Sequence, residues 1–452
     1  MSSRPSSVLA AALLALAAAG CAKHTGILAP KITDATVFED GFGASVDFQA
    51  FGGSKLDAIS IDSSVTHSGT TAIRVTVPGP GDPSGTYAGG AFTTSRARDL
   101  SSYDALTFWA KADHAITLDV AGLGNDNTGT SRYQASWPGI TLTTAWTQVV
   151  IPIPLASRLS DERGLFFFAE GAEAGAGATI WFDDIVFANL ATITNPRPTI
   201  PTVTLRPDVG ADVALSGTRV TFAVEGVDRT LDVMPGYFTF ASSADTVAVG
   251  GEGNLRAVGL GTATITATLG GLPATGVITV LPNPAPVSAA PSPTPPAASV
   301  ISLFSNAYTN VPIDTWSTTW DQADVTDMRV AGNDTKKYTN LVFAAVEFLG
   351  PRALNATAMT HFHADVWAAG GTTFKLKLVD FGANGVFGGG DDREQELTFP
   401  SPSTPALQVR AWNSFDLPLS LFTGMTTRGH VSQMILSGDV GTVYLDNVYF
   451  HN

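Results

Sequence analysis

The stretch "TVYLDNVYF" (442–450) alternates apolar residues with others, and a close counterpart, "TIWFDDIVF" (179–187), occurs in the first half of the chain. Alternation with a period of two predicts a β-strand that buries one face. Aligning the two stretches matches Asp183 to Asp446. A second pair, "AWTQVVIPI" (145–153) and "AWNSFDLPL" (411–419), lines up at a similar spacing in both halves. Two modules that share one fold are the simplest explanation.

The residues around these landmarks predict further strands. Segment 31–190 contains "TAIRVTV", "ALTFWAK" and "GLFFFA", and segment 300–452 contains "HFHADVW", "FKLKLVDF" and "EQELTF", all bounded by Gly, Asp and Ser turns. Short alternating strands at regular turn spacing predict antiparallel β-sandwiches. We therefore expect an all-β protein with two large sandwiches.

Composition and charge exclude some functions. The chain has 452 residues, too many for one compact core, and only 14% of them are charged. Its net charge is −15, and it contains no basic run. A phosphate backbone would repel such a chain, so nucleic acid is not an expected partner.

The first 21 residues predict export. Arg4 is followed by an apolar stretch from Val8 to Ala19 that is too short to span a bilayer and is typical of a signal peptide. Residues 18–21, Ala-Ala-Gly-Cys, resemble the lipobox of bacterial lipoproteins, although Leu is more usual than Ala18. Cys21, the only cysteine, is then the lipidation site and lipid the only membrane anchor. The alternative is an ordinary secretory signal with an incidental cysteine.

Two breaks divide the rest of the chain. "NPRPTIP" (195–201) precedes a middle segment, 199–281, which has Gly turns and alternating Thr, Ile and Val. "PNPAPVSAAPSPTPPAAS" (282–299) has seven prolines and no aromatic residue. Proline favours extended polyproline II, so this stretch is predicted to be a semi-rigid spacer that holds the last module away from the rest.

Three resemblances refine this organisation. The first module, with its "VFEDGFG" opening, resembles jelly-roll carbohydrate-binding modules of family 11 and the related galactose-binding-like group. The last, with "MTHFHADVW" and "LVDFGANGVFGGGDD", resembles a module often appended to family 16 laminarinase-type glycoside hydrolases. The middle segment resembles a group 2 bacterial immunoglobulin-like domain. The resemblances imply two jelly rolls flanking an immunoglobulin-like sandwich, and polysaccharide as the partner, with β-glucan as the expected class.

"HFHADVW" (361–367) is the main candidate site of the last module. If it is a strand, one face carries His361, His363, Asp365 and Trp367, while the alternate residues enter the core. Sugar sites combine an aromatic plane with planar polar groups, which this face would supply. On this interpretation, Trp367→Ala weakens polysaccharide binding without unfolding the module. A zinc site would need further ligands, which no motif supplies, and a polar outer face without function is the other alternative.

Further candidates lie on neighbouring segments. Lys375 and Lys377 would join the same polar face if their strand pairs with "HFHADVW". Trp316 and Trp320 are loop platforms or core residues. In the first module the ligand-binding candidates are Tyr87, Arg132, Tyr133 and Trp137. Trp109 and Lys111 of "LTFWAK" are expected to point outward beside them. Trp146 and Trp412 are expected in the core.

The resemblance to sugar-binding modules also implies a structural Ca²⁺ that ties the opening strand to the closing one. Glu39 and Asp183 match such places in the first module, and Asp446 matches in the last. Carboxylate oxygens suit calcium. Turn Asp and Asn residues without any metal are the alternative.

No catalytic motif accompanies these sites. The "DDREQE" cluster (391–396) lacks the carboxylate arrangement of family 16 hydrolases, and no nucleophile elbow, zinc-protease or phosphate-loop motif occurs. We therefore expect a non-enzymatic, lipid-anchored protein of the cell envelope, at the outer membrane or cell surface. The alternatives are an adhesion or assembly protein that contacts proteins, and a glycoside hydrolase accessory protein with an unrecognised catalytic site.

Overall fold

The computed structural model describes residues 31–452, and this range contains β-strands and five short 3-10 helices but no α-helix. The 3-10 helices are Ala156–Arg158, Pro235–Tyr237, Ala297–Ser299, Gly350–Arg352 and Leu419–Leu421. The predicted all-β class is therefore confirmed. No helix within 31–452 has the length and apolar character needed to cross a membrane. The predicted signal peptide and Cys21 lie outside the described residues.

The described residues cluster into two units. Unit 1 extends to Asn195 and includes the hairpin Phe222–Asp232, and unit 2 comprises Pro196–Thr221 and Val233–Asn452. The middle segment and the last sandwich thus belong to one unit, apart from the hairpin.

Unit 1 has a smaller sheet with the strand order β3-β4-β11-β6-β9, to which β1 adds beside β11. Its strands are β1 (Thr36–Phe38), β3 (Ile59–Asp62), β4 (Ala72–Thr76), β6 (Ala105–Ala112), β9 (Thr147–Pro152) and β11 (Thr179–Ala188). Alternation along β11 sends Ile180 and Phe182 inward, where both are fully buried. Trp181, between them, faces outward.

A larger sheet faces it, with the order β8-β7-β10-β5-β2. Its strands are β2 (Val46–Ala50), β5 (Tyr87–Arg98), β7 (Ile116–Leu123), β8 (Ala135–Leu142) and β10 (Glu162–Gly171), and the chain leaves through β12 (Ile193–Thr199). The hairpin β14 (Arg219–Val224) and β15 (Val227–Val233) extends this sheet beside β8. Phe166 and Phe168 of β10 contact Phe182 of the smaller sheet, with ring centroids 5.5 and 5.0 Å apart. These rings form the centre of the sandwich core.

The middle segment forms two small sheets. One has the order β13-β21-β19-β16 with β20 beside β19, and the other pairs β17 with β18. The strands are β13 (Val203–Leu205), β16 (Phe238–Ser242), β17 (Ala248–Gly250), β18 (Leu255–Ala257), β19 (Ala263–Leu269), β20 (Leu272–Pro273) and β21 (Ile278–Val280). Ile265 on β19 and Val280 on β21 are fully buried.

Eight strands form the last sandwich. They are β22 (Val300–Phe304), β23 (Gln322–Val330), β24 (Asn333–Glu347), β25 (His361–Ala368), β26 (Phe374–Asp380), β27 (Arg393–Phe399), β28 (Trp412–Pro418) and β29 (Val431–His451). The long strand β29 belongs to both layers, because residues 443–451 pair with β25 and residues 431–438 pair with β26. Phe374 and Phe399 of one layer stack on Phe415 of the other, at 6.3 and 4.2 Å.

Residues 282–299, named the strap here, lie against this sandwich. Three side chains donate hydrogen bonds to strap carbonyls: Trp412 Nε1 to Ser288 (2.9 Å), Asn447 Nδ2 to Pro291 (2.9 Å) and Tyr308 Oη to Pro295 (2.8 Å). A polyproline II segment has no internal hydrogen bonds, so its carbonyls are free to accept them. The prediction that this segment holds the last module at a distance is wrong, because the sandwich itself binds it.

Candidate functional site

The stretch 361–367 is a strand, as predicted, but its outward face is covered. Phe362, Ala364 and Val366 are fully buried in the sandwich core. On the opposite face, Trp367 is only 5% exposed and clusters with Tyr444 and with Ala285 of the strap. The prediction that Trp367 is an exposed stacking platform is wrong, because the strap and Tyr444 take the place that a sugar would need.

The polar members of this face are hydrogen-bonded inside the protein. The buried Asp365 carboxylate accepts hydrogen bonds from Ser414 Oγ (2.5 Å) and Asn447 Nδ2 (2.7 Å). The His363 ring stacks on Tyr449 at 4.6 Å, and its Nδ1 lies 3.3 Å from Asp416. These contacts hold the face together and leave Asp365 without access to a ligand.

His361 lies at the open end of this face, stacked on His451 at 5.0 Å. His451 Nε2 lies 2.8 Å from the Asp416 carboxylate. Within residues 31–452, no three His, Cys, Asp or Glu side chains come together as a metal site. The pattern therefore gives no support to a zinc ion at His361 and His363.

The two lysines of β26 belong to the other layer. β26 pairs with β27 and β29 and not with β25, so the prediction that Lys375 and Lys377 join His361–Trp367 on one face is wrong. Both lysines do point away from the core, as predicted, while Phe374, Leu376 and Leu378 are fully buried. Their strand belongs to the layer opposite β25 and β28, beside which the strap lies.

The two loop tryptophans differ in environment. Trp316 is partly buried against the core, 5.5 Å from Phe304, with the Lys336 ammonium 4.9 Å from its ring. Trp320 is 52% exposed and packs one side on Phe343 of β24 at 6.0 Å. Trp316 is thus part of the packing, and Trp320 remains open to a ligand.

In unit 1, the predicted site residues do not share one surface. Tyr87 pairs with Gly171, whereas Trp137 pairs with Ala121, which in turn pairs with Phe168. Because Phe168 and Gly171 are an odd number of residues apart on β10, the register places Tyr87 and Trp137 on opposite faces of the sheet. Trp137 lies on the face of Phe168.

Neighbouring groups further restrict these side chains. The Arg229 guanidinium lies 4.5 Å from the ring centroid of Trp137, and the Arg132 guanidinium lies 5.6 Å from that of Tyr133. The Tyr87 hydroxyl donates a hydrogen bond to the Gly52 carbonyl. Tyr87 is the first residue of β5.

The aromatic surface of unit 1 lies instead on the outer face of the smaller sheet. Trp109, Trp146, Trp181, Lys111 and His67 form it, all partly exposed, and they are called the tryptophan face here. His67 stacks flat on Trp109 at 3.8 Å and meets Trp146 edge-on at 5.7 Å. The Lys111 ammonium lies 6.0 Å from Trp146 and 5.5 Å from Trp181.

Hydrogen bonds fix part of this face. The Ser64 hydroxyl and Trp181 Nε1 both donate hydrogen bonds to the Asp62 carboxylate, and these bonds lower the pKa of Asp62 to about 2. His67 Nδ1 lies 2.8 Å from the Asp184 carboxylate. Hydrogen bonds therefore fix the Trp181 indole and the His67 ring, and His67 in turn supports the Trp109 indole stacked on it, as a preorganised stacking surface requires.

The outward position of Trp109 and Lys111 is as predicted, whereas Trp146 was expected in the core. Alternation in "AWTQVVIPI" predicts the outward position of Trp146. Val149 and Ile151 are buried, and a residue an odd number of positions from them on the strand faces outward. The same argument applies to Trp412, which lies beneath the strap beside Trp367 and not in the main core.

Asp183 and Asp446, two of the predicted calcium positions, lie at a bulge before the end of their closing strands, whereas Glu39 follows β1. Asp183 is buried, its carboxylate accepts the His67 (2.8 Å) and Ser68 (3.3 Å) amides, and burial raises its pKa. Asp40, beside the exposed Glu39, accepts the Thr71 amide of the same loop at 3.1 Å. These oxygens suit calcium in chemistry, but the loop amides already satisfy them, and calcium stays a prediction.

In the last sandwich, Asp446 occupies the equivalent place. Its carboxylate accepts the Asn447 amide (2.7 Å) and Asn333 Nδ2 (2.5 Å). Burial, and then the nearby Asp365 charge, raises the pKa of Asp446 to about 7. Asp184 and Asn447, the residues after the two matched aspartates, both have positive φ, at 47° each, so the two closing strands share their bulge.

The buried acids of unit 1 do not form a glycosidase pair. Burial raises the pKa of both Glu162 and Glu170 to about 7. The two residues are eight positions apart on β10, which separates them by roughly 26 Å at about 3.3 Å per residue. Glycosidase carboxylates lie roughly 5–10 Å apart across a cleft, so these two cannot act as such a pair.

Comparison with known proteins supports a sugar-binding module in unit 1. Residues 34–189 match the family model described as carbohydrate binding domain 30. The predicted relation to carbohydrate-binding modules is thus supported for this segment, and the matching model is that of family 30. None of the curated proteins matches the chain.

Several solved structures resemble the chain at low identity. A family 30 carbohydrate-binding module is 20% identical and covers 36% of this chain and 86% of its own, with a TM-score of 0.24. A family 11 module from Clostridium thermocellum, solved with a β-1,3-1,4-mixed-linked tetrasaccharide, is 14% identical and covers 36% of this chain and 99% of its own, with a TM-score of 0.26. The tandem CBM22-1-CBM22-2 of Paenibacillus barcinonensis Xyn10C is 12% identical and covers 94% of this chain and 98% of its own, with a TM-score of 0.23. At these values none of them carries an argument about function.

Proposed function

We propose that this protein is a non-catalytic polysaccharide-binding protein with two β-sandwich binding modules. The single observation that carries the proposal is the match of residues 34–189 to a carbohydrate-binding family. β-Glucan of the laminarin type is the proposed polymer, because the last module resembles those appended to laminarinase-type hydrolases. Two modules on one chain gain affinity when both contact the same polymer.

The tryptophan face is the proposed binding surface of unit 1. Its partly exposed indoles offer apolar planes for the C–H faces of sugars, and Lys111 and the exposed Gln148 offer hydrogen bonds to hydroxyls. Tyr87 and Trp137 are less suitable, since they lie on opposite sides of their sheet. Trp146 is the residue to test, because no hydrogen bond within the described residues involves its indole.

The cellular setting and the structural Ca²⁺ belong to the same proposal. Lipidation at Cys21 would anchor the protein to the cell envelope, and metabolic labelling with a fatty acid tests this through a Cys21→Ala variant. The immunoglobulin-like assignment of 199–281 is proposed on its glycine-punctuated strands. Ca²⁺ at Asp183 and Asp446 would add to stability, and chelator would then lower the melting temperature.

Affinity electrophoresis tests the function directly. The full chain is run through gels containing laminarin, mixed-linkage glucan, xylan or mannan, with and without chelator. Retardation by one polymer, reduced in Trp146→Ala but not in Phe387→Ala, supports the proposal; Phe387 is a matched control because it is 65% exposed on a loop of unit 2. No retardation in any gel favours the adhesion alternative, and release of soluble sugar indicates an enzyme.

A further inference from the structure

A ladder of charged side chains crosses the outer face of the strap-free layer in the last sandwich. Lys375 on β26 pairs with Glu396 on β27 at 3.0 Å, and Lys377 pairs with Glu394 at 3.1 Å. In the strand register Lys375 faces Thr398 and Lys377 faces Glu396, so each ion pair is diagonal. All four side chains are accessible in part, and none enters the core.

An aromatic platform stands at one end of the ladder. The register runs from Phe343 on β24 through Ser437 on β29 to Lys375, which places Phe343 two strands, or about 10 Å, from the first lysine. Trp320 packs on Phe343 and keeps half of its surface exposed. An exposed indole held by a second ring is the arrangement that stacks on the apolar face of a sugar.

Further along the same face, polar groups replace the aromatic ones. Gln433 Nε2 donates a hydrogen bond to Glu347 Oε1 at 3.0 Å, and the register aligns both with Val379. The face therefore offers an indole, two ammonium groups and carboxylates, whereas the Gln433 amide is buried and serves to hold Glu347 in place. We call Trp320, Phe343, Lys375, Lys377 and their glutamate partners the lysine face.

We propose that the lysine face is a second glycan-binding site, and that its ligand is a neutral polysaccharide chain lying across the strands from Trp320 towards Glu394. The proposal rests on the proposed function. The family match of residues 34–189 lies in unit 1. It gives the last sandwich a site of its own, opposite the strap.

The charge pattern selects the ligand class. Each ammonium already has a carboxylate partner, so an anionic sugar such as a uronate would have to displace a glutamate to gain a lysine. Neutral hydroxyls can accept from the ammonium groups and donate to the carboxylates without breaking either pair. The face therefore favours neutral chains over polyuronates.

The test uses the full chain in affinity electrophoresis against neutral β-glucan and against polygalacturonate. Trp320→Ala, and separately the charge-balanced pair Lys375→Met with Glu396→Leu, are compared with wild type. The matched controls are Phe387→Ala and Arg329→Met, whose ion pair with Asp334 is exposed on β23 and outside the face. Each variant is also placed in a Trp146→Ala background, which isolates the last module.

We expect Trp320→Ala to raise the dissociation constant for neutral glucan about three- to tenfold, and the controls to leave it unchanged. Wild-type binding that survives both lysine-face variants overturns this site but leaves the proposed function standing. Tighter binding of polygalacturonate overturns the ligand class. If the wild type binds no polymer, the proposed function itself fails, and this site fails with it.

Discussion

Truncation of Trp367 tests the strap most directly. Trp367 is 5% exposed and packs on Tyr444 with the rings nearly perpendicular, 5.4 Å apart. Trp→Ala at such a site removes buried contacts and leaves a cavity, which costs about 3–5 kcal/mol. For a module of about 150 residues, this corresponds to a fall in melting temperature of roughly 6–20 °C.

The measurement is differential scanning calorimetry of the full chain, in which the melting temperature of each transition is compared between wild type and variant. Trp320→Ala is the matched control, because truncating a half-exposed tryptophan away from the core should change stability by only about 0.5 kcal/mol. If Trp367→Ala melts within about 1 °C of wild type while glycan binding falls, Trp367 is an exposed platform. The packing of the strap described above is then incorrect.

The other predictions concern the strap and the buried acid beneath it. Trp412→Phe removes the hydrogen bond to Ser288 but keeps an aromatic ring, so the contacts of the strap weaken by about 1 kcal/mol. We therefore expect limited proteolysis to cleave within 282–299 faster in the variant. An unchanged cleavage rate would contradict this contact. Burial raises the pKa of Asp446 to about 7 in the native state. Between about pH 4 and pH 7 the native state therefore keeps a proton on Asp446 that the unfolded state has lost. The stability of the wild type falls as pH rises through that window. Asp446→Asn lacks this titration. Between pH 5 and pH 8, urea unfolding should therefore show the variant gaining stability relative to wild type by at most about 2.7 kcal/mol, since two pH units of about 1.36 kcal/mol each lie between pH 5 and the folded pKa. Parallel pH profiles of the two proteins would show that Asp446 is ionised throughout.

The local alternation of apolar and polar residues was sufficient to predict the strands and the side chains that point into the core. In β25 and β26, alternation correctly separated Phe362 and Leu376, which are buried, from His363 and Lys375. The same alternation also indicated the outward position of Trp146. We expected Trp146 in the core because a tryptophan recurs at the matching position, Trp412, in the last module. Each of these outcomes depends on the geometry of one strand, in which successive side chains point to opposite faces.

Strand partners and coverings could not be predicted in the same way. Lys375 and His363 lie on opposite layers because β29 crosses from one layer to the other and pairs with each strand over a different stretch. Nothing local in "FKLKLVDF" specifies which strand will pair with it, since pairing is set by contacts distant in the chain.

The sequence by itself determined the all-β class, the two sandwich segments and the alternation of buried and outward side chains, because these follow from local periodicity. Only the tertiary structure decided that the strap covers Trp367 and that Lys375 and Trp320 share an open face. A proline-rich segment satisfies none of its own carbonyls, so its course is set by the side chains that reach it, here Trp412, Asn447 and Tyr308. Those donors come from three separate strands and loops, and folding alone brings them together.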